Sequence, residues 1–398
     1  MNMRMLKTEL YKIYSKRIIW IAMIVFLGLF LLFKVQFLET VGVKYTLEPM
    51  RSELSAAIEN EEFHEFVRSK GYKCSVDDME PFVPQSVFDY IEKYKDSERV
   101  YRTLISNLVS SINSYYERID LREAYITELA ADVAESDGTT LAKAKAKILD
   151  DYNNAQVTIE LNLESSANNF IDINHAVVFP GFVMLVIIVG LAGIYADEYT
   201  SGTQAALLTT RKGRKGVFLS KLCAAAIYVV NVVLVMEAFY MIATAICYHA
   251  PNHTISAAST YGLYLTTFDG SVYEFCISQI LGTVLAGLTL GSIVMCISAW
   301  SKNALIPFFA SGAYYGGTAL YAKMIALPEH LSTAFSIPGE LSLFMLQTQY
   351  ELVSTKHYTN VFGLLIPTLT VNIIFNVVIM VVCLLLCYRA YTRKQVKN

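Results

Sequence analysis

Charge is what this chain has least of: only 17% of its 398 residues are Asp, Glu, Lys or Arg, against roughly 25% in ordinary soluble domains. Hydrophobic residues make up 54%, and the mean hydropathy is +0.41. A water-soluble globule is thereby excluded, and an integral membrane protein is the class that remains. The signatures of catalysis are missing as well. No G-x-x-x-x-G-K-[ST] phosphate loop occurs; the nearest string, Gly282 to Gly287, continues with Leu288. His64-Glu65-Phe66-Val67-Arg68 opens like a zinc-protease helix but puts Arg68 where the second histidine ligand belongs. There is no C-x-x-C pair in a loop, no dinucleotide-binding glycine turn and no Ser/His/Asp arrangement. The chain is therefore expected to be neither an enzyme nor a holder of metal or cofactor, and nothing in it points to nucleic acid. Its seven cysteines imply no disulfide framework, since only Cys74 lies in the long polar segment and the rest sit in or beside apolar runs.

What is present is apolar sequence in long runs. Six segments, roughly 18–38, 176–196, 222–248, 275–300, 303–322 and 361–388, are long enough to cross a hydrocarbon layer of about 30 Å. The first follows a basic stretch and has no small-residue cleavage site behind it, so a retained span is expected rather than a signal peptide. The basic residues of the short connections set the orientation. Arg4, Lys7, Lys12, Lys16 and Arg17 precede the first run, the 197–221 loop carries five more, Lys302 sits between the fourth and fifth runs, and Arg389, Arg393, Lys394 and Lys397 close the chain. With six spans all of these fall on one side, so both termini are expected in the cytoplasm of a cell whose plasma membrane the chain crosses. Residues 39–172 are then extracellular.

That outer segment carries the acid of the chain: 26 acidic against 14 basic residues, a net of −12, whereas the remaining 9 acidic and 18 basic residues net +9. It reads as helical. Phe88, Ile91, Tyr94, Val100, Tyr101, Leu104, Ile105, Leu108, Ile112, Tyr115, Tyr116 and Ile119 recur at helical spacing over more than thirty residues. A second helical pattern from Thr139-Thr140 toward Leu163 is expected to pack back on this stripe as an antiparallel hairpin. A shorter helix over 51–69, ended by Gly71, and a break at Pro81 and Pro84 precede them. A spacer or dimerisation stalk and a domain that handles substrate or docks a partner both fit this pattern.

The loop DEYTSGTQAALLTTRKGRKGVFLSKL, residues 197 to 222, is punctuated more heavily than a tether needs to be. Ser201-x-x-Gln204 has the form of a capping box, TQAALLTT supplies two turns, Arg211 and Lys212 suit the negative end of a helix dipole, and Gly213 is a natural terminator. A short helix with defined ends is expected, with Leu207 and Leu208 forming an apolar patch. That patch fits docking to another protein, or insertion in the bilayer with the basic residues at anionic headgroups.

The string Glu198-x-x-x-Gly202-Thr203, then Leu207-Leu208, Arg214 and Lys221, resembles the loop signature of the ABC type-2 permeases, the membrane subunits of a large class of exporters. Six spans, a basic amphipathic N-terminal segment and the short polar turn Ser301-Lys302-Asn303 are also similar to that family, over about two thirds of the chain. Where the family often has proline after its Leu-Leu-x-Thr stretch, this chain has Arg211. The resemblance implies an all-α membrane protein of six transmembrane helices, with a helical extracellular domain between spans one and two. It implies a coupling helix at about 197–216 seated in a separate ATP-hydrolysing ABC subunit, which would hold the ATP and magnesium. Glu198, Gly202, Thr203, Leu207, Leu208, Arg211 and Arg214 are the implied contacts. Residues 1–17 would form a connecting helix along the membrane surface with Leu6, Leu10 and Ile13 on its buried stripe, and a second permease subunit would complete a homo- or heterodimer.

Within the membrane part, 173–398, Glu237 is the one acid deep inside a span, so a place on a transport path or a buried hydrogen bond to a neighbouring helix is expected of it. Asn372 and Asn376 are four residues apart on one face of the sixth run and read as interhelical glue. The segment 337–350 is apolar but too short to cross, and is expected to be a re-entrant helix from the outer side with Glu340 near its mouth. The reading is a permease subunit of an ATP-driven exporter moving a peptide, antibiotic, lipid-like or other small substrate outward. Its alternative is a relay that transmits ATPase motion to the outer helical domain without transport.

Overall fold

Long apolar runs with few glycines and prolines give helices, and the computed structural model is almost wholly helical. It describes residues 3–38, 46–135, 138–163, 171, 178–203, 213–248, 255–260, 262–324, 330–354 and 357–393. Helix α1 (Met3–Tyr14) meets α2 (Arg17–Leu38) at a bend of 56°. The acidic segment expected to be the outer region holds α3 (Arg51–Ile58), α4 (Glu61–Ser69), α5 (Val76–Met79), α6 (Gln85–Glu92), α7 (Glu98–Ala134) and α8 (Thr140–Asn154). The rest comprises α9 (Val178–Leu191), α10 (Ala196–Thr200), α11 (Gly213–Tyr248), α12 (Val272–Trp300), α13 (Leu305–Met324), three short helices α14 (Ile337–Glu340), α15 (Leu343–Thr348) and α16 (Tyr350–Ser354), and α17 (Thr368–Arg393). Among the described residues one sheet occurs, the antiparallel hairpin β1 (Tyr358–Val361) and β2 (Leu364–Pro367), in register Tyr358 to Pro367.

Four stretches are long and apolar enough to cross a membrane: Phe179–Thr200, Lys215–Ile246, Val272–Trp300 and Thr368–Thr392. The bent pair α1 and α2 makes a fifth candidate. Helix α13 has the length, 20 residues, but Ser311, Gly312, Gly316, Gly317, Thr318 and its tyrosines leave it less apolar than those four. The run expected at 361–388 is split, because 361–367 belongs to the hairpin and the helix starts only at Thr368.

Helix α12 is the axis of the membrane part. It packs against α9, α11, α13, α15 and α17, and its glycines are what let them approach: a Cβ on Gly282 would lie 2.4 Å from the Leu346 carbonyl oxygen, and one on Gly287 2.9 Å from a Val229 methyl. Segment 337–350 is not one re-entrant helix but α14 and α15 joined by a turn, with every residue of α15 buried. Asn372 and Asn376 of α17 serve as the glue expected of them, donating to the backbone oxygens of Glu340, Ser342 and Leu341 where the two short helices leave carbonyls unsatisfied. Ser278 and Gln279 of α12 bond Gln349 and the Thr348 carbonyl, and Tyr315 bonds Gln347, so the insert is held by hydrogen bonds on several sides.

The outer region departs from the expected hairpin. The apolar stripe is broken at 93–97 between α6 and α7, and 51–69 is two helices, the second capped by Asn60, whose side chain accepts from the Glu62 amide. Gly71 does end that segment, at φ +61°. Helix α7 has 37 residues, about 55 Å at 1.5 Å per residue, and finds two partners instead of one. Its first half, through Leu104, Leu108, Ile112 and Tyr116, packs on α3–α6, and its second half, at Leu129, packs on Ala144, Ile148 and Tyr152 of α8. Helix α8 stops at Asn154, and 155–163 runs without helix. The region is docked on the loops beneath it. Arg118 donates to the Ser259 carbonyl, Arg122 to those of Tyr264 and Thr266, Lys147 to that of Leu365 and Tyr152 to that of Leu265. These loops adjoin the first residues of α12 and α17, so the docking lies at the end of the bundle opposite α1.

Candidate functional site

At the other end of the bundle α1, α10, the start of α11 and the ends of α12 and α17 converge. Thr200 donates to the Lys302 carbonyl, and Tyr195 lies against Tyr391 with ring centres 5.1 Å apart. The spacing of Leu6, Glu9 and Ile13 puts all three on one face of α1, and all three are buried, with Leu10 half-buried beside them. Leucine and isoleucine meet the core there, but Glu9 needs cations. It finds two. Its Oε1 lies 2.8 Å from Lys12 Nζ and its Oε2 2.9 Å from Lys221 Nζ. Glu198 of α10 lies 2.8 Å from Lys221 and 3.0 Å from Lys12, both through Oε1. The four side chains thus form a closed ring of alternating charge across three helices.

Lys221 is 1% exposed; it donates to Glu9 and to the Ile194 carbonyl at 2.7 Å, and it is ion-paired with Glu198. Tyr195 covers it, ring centre 5.2 Å from Nζ. Burial by itself raises the Glu9 carboxyl, but the Lys221 charge and hydrogen bonds from Lys12 and Lys221 hold it below the ordinary range. Burial likewise opposes charge on Lys12, and its bonds to Glu9 and Glu198 outweigh that and raise it. Around the ring, Lys16 pairs with Asp197 at 2.8 Å, and Asn231 of α11 donates to the Tyr14 hydroxyl at 2.8 Å.

The loop itself is described up to Thr203. Ser201 terminates α10, its amide bonding the carbonyls of Asp197 and Tyr199, and its hydroxyl lies 2.9 Å from that of Thr203. Gly202 takes φ +71°, a conformation that suits glycine, and helix resumes at Thr203. Gln204, Leu207, Leu208 and Arg211 lie outside the described residues. Gly213, expected to stop a helix over 203–212, is the first residue of α11, whose first turns bury Val217 and Phe218; the residues 204–212 before it lie outside the described residues. Arg214 is in the first turn of α11.

Of the residues read as docking contacts, Gly202 and Thr203 are exposed and Glu198 is not; it is 6% exposed and turned into the ring. Lys221 counted among loop charges and proves to be interior. The signal for the ring was Glu9, an acid on the apolar stripe of α1; nothing in the sequence tied it to Lys221, 212 positions away. Glu237 is buried in α11, and Glu340, expected at a mouth, is 0% exposed between α13 and α17. Glu237 Oε1 and both Glu340 carboxyl oxygens have no hydrogen-bond partner among the described residues. Among those residues no group of three or more His, Cys, Asp or Glu is placed to hold a metal. No protein-family model, no curated protein and no solved structure matches the chain.

Proposed function

We propose that the chain is the permease subunit of an ATP-driven exporter, with a separate ABC ATPase docking on the loop 197–216 and a second permease subunit completing the path. The observation that carries the reading is the charged junction. A loop that must transmit force needs a rigid root, and the ring of Glu9, Lys12, Glu198 and Lys221 ties the root of this loop to α1 and α11, with Glu9, Glu198 and Lys221 buried where charges are weakly screened. Exposed Gly202 and Thr203 then continue into Leu207 and Leu208, the patch the ATPase would cover, while Glu198 holds the root instead of touching the partner. In this reading α13 is the fifth of six spans, α1 and the loop face the cytoplasm, and the docked α3–α8 region is extracellular. Glu237 and Glu340 belong to the path or its walls.

The test is co-purification with a candidate ABC ATPase partner, comparing wild type with Leu207→Asp/Leu208→Asp. Loss of the ATPase from the variant is expected, and undiminished association would remove the coupling helix from the account. The relay reading draws support from the outer region's hydrogen bonds to the loops before α12 and α17, which suit transmission of motion. ATP hydrolysis by the complex in vesicles separates the two: stimulation by added substrate favours export.

A further inference from the structure

We propose that Lys221 is a positioning residue whose buried ammonium locks helix α1 to the turn between α9 and α10, so that the N-terminal helix and the loop root move as one body. The geometry assigns this role to Lys221 and not to its neighbours. Its three partners come from both bodies it would join: Glu9 from α1, and Glu198 of α10 with the Ile194 carbonyl of the α9–α10 connection. Lys12 makes the same Glu9-to-Glu198 bridge, but its side chain is 46% exposed, so water and salt screen it. The Lys16–Asp197 pair is more exposed still on its acidic side, at 52%. Apolar contact alone lets α1 slide, because Leu6, Leu10 and Ile13 meet a non-directional surface. Two carboxylates on one interior cation fix both position and register.

Separation is costly in a specific way. Lifting α1 away takes Glu9 with it and leaves Lys221 with one carboxylate where it had two, inside the protein. Displacing α10 does the same from the other side, taking Glu198 away and leaving Lys221 with Glu9 alone. Each motion therefore loads the other element through the same nitrogen. Such coupling is reciprocal by thermodynamic necessity.

Hydrogen–deuterium exchange on the full chain in nanodiscs, with no partner added, tests this. Glu198→Gln, a change in α10, is expected to speed amide exchange in Leu6–Tyr14 several-fold. Glu9→Gln, a change in α1, is expected to speed exchange over Ala196–Thr200 to a similar degree. In a Lys221→Met background both cross-effects should fall away, and in a Lys12→Met background they should persist. If each glutamine variant loosens only its own helix, or if the cross-effects survive loss of Lys221, the proposal is overturned. Should Lys221→Met fail to fold, the two glutamine variants in the Lys12→Met background decide the matter, since only Lys221 then bridges the two carboxylates. Because the chain is examined without an ATPase, this outcome is independent of whether one docks at the loop.

Discussion

Gly282 shows how little room single residues have in this membrane core. A methyl there meets not only the Leu346 carbonyl oxygen but the Gln349 side-chain nitrogen at 2.1 Å, and a backbone oxygen inside a hydrogen-bonded insert has nowhere to go. Gly282→Ala is expected to cost about 1–3 kcal/mol, read as a lower melting temperature of the detergent-solubilised chain; an unchanged melt would show that α15 can shift. At the charged ring the same scale gives a pH dependence. Glu9 is held below its ordinary range by Lys221 and Lys12, with Glu198 and the Lys16–Asp197 pair facing the same pocket. A depressed carboxylate contributes stability that is present above its unfolded pKa, about 4.3, and lost as pH falls through the folded value. Protection of α1 against exchange should therefore hold at neutral pH and decline below about pH 4.3, and Glu9→Gln should flatten that decline.

Among elements, the outer helices are joined by a second, independent device. Asp120 of α7 accepts from His64 at 2.9 Å and from Arg68 at 2.9 and 2.5 Å, and takes the Tyr72 hydroxyl as well, so one carboxylate pins α4 and the turn after it to the long helix. Burial opposes its charge, yet Arg68, Tyr72 and His64 together hold it down at about 2. The contribution is full above the unfolded value of about 3.9 and is lost as pH drops toward 2. Exchange at Glu61–Ser69 should accelerate between about pH 4 and pH 2 in the wild type, and Asp120→Asn should show the faster rate already at neutral pH. The break at 93–97 belongs to this scale too. It turns α6 back so that Val87 and Ile91 meet the same core as Leu104 and Leu108, which one continuous helix could not do.

At the scale of the molecule, the two ends of the bundle are built alike in one respect: each is tied by cations to oxygens of another element. Arg122 bonds two carbonyls of the 264–266 loop, and its guanidinium lies 5.0 Å from the Tyr152 ring centre, so outer helix pair and loop are joined at one point. Arg122→Gln together with Arg118→Gln removes these bonds and leaves the α3–α6 core untouched. Protease cleavage in the 255–270 loop of reconstituted protein should become faster while the outer region stays folded; unchanged cleavage would mean that the remaining contacts of Lys147 and Tyr152 suffice.

Hydropathy and periodicity decided on their own that the chain is mostly helical, that several helices are apolar enough for a membrane and that much of 51–154 is helical, because burying apolar surface over 20 residues or packing a 3.6-residue stripe are local demands. They also placed Asn372 and Asn376 as glue and Leu6, Leu10 and Ile13 on the buried face of α1. Pairing was not legible. The stripe on α7 could not say that its halves serve different partners, and an apolar run at 361–367 reads alike as strand and helix. Lys221 is the extreme case: a lysine at the edge of a basic loop looks solvated, and only the approach of Glu9 and Glu198 from two other helices makes its burial possible. A buried charge is set by its counter-charges, and these were brought to it by the tertiary fold.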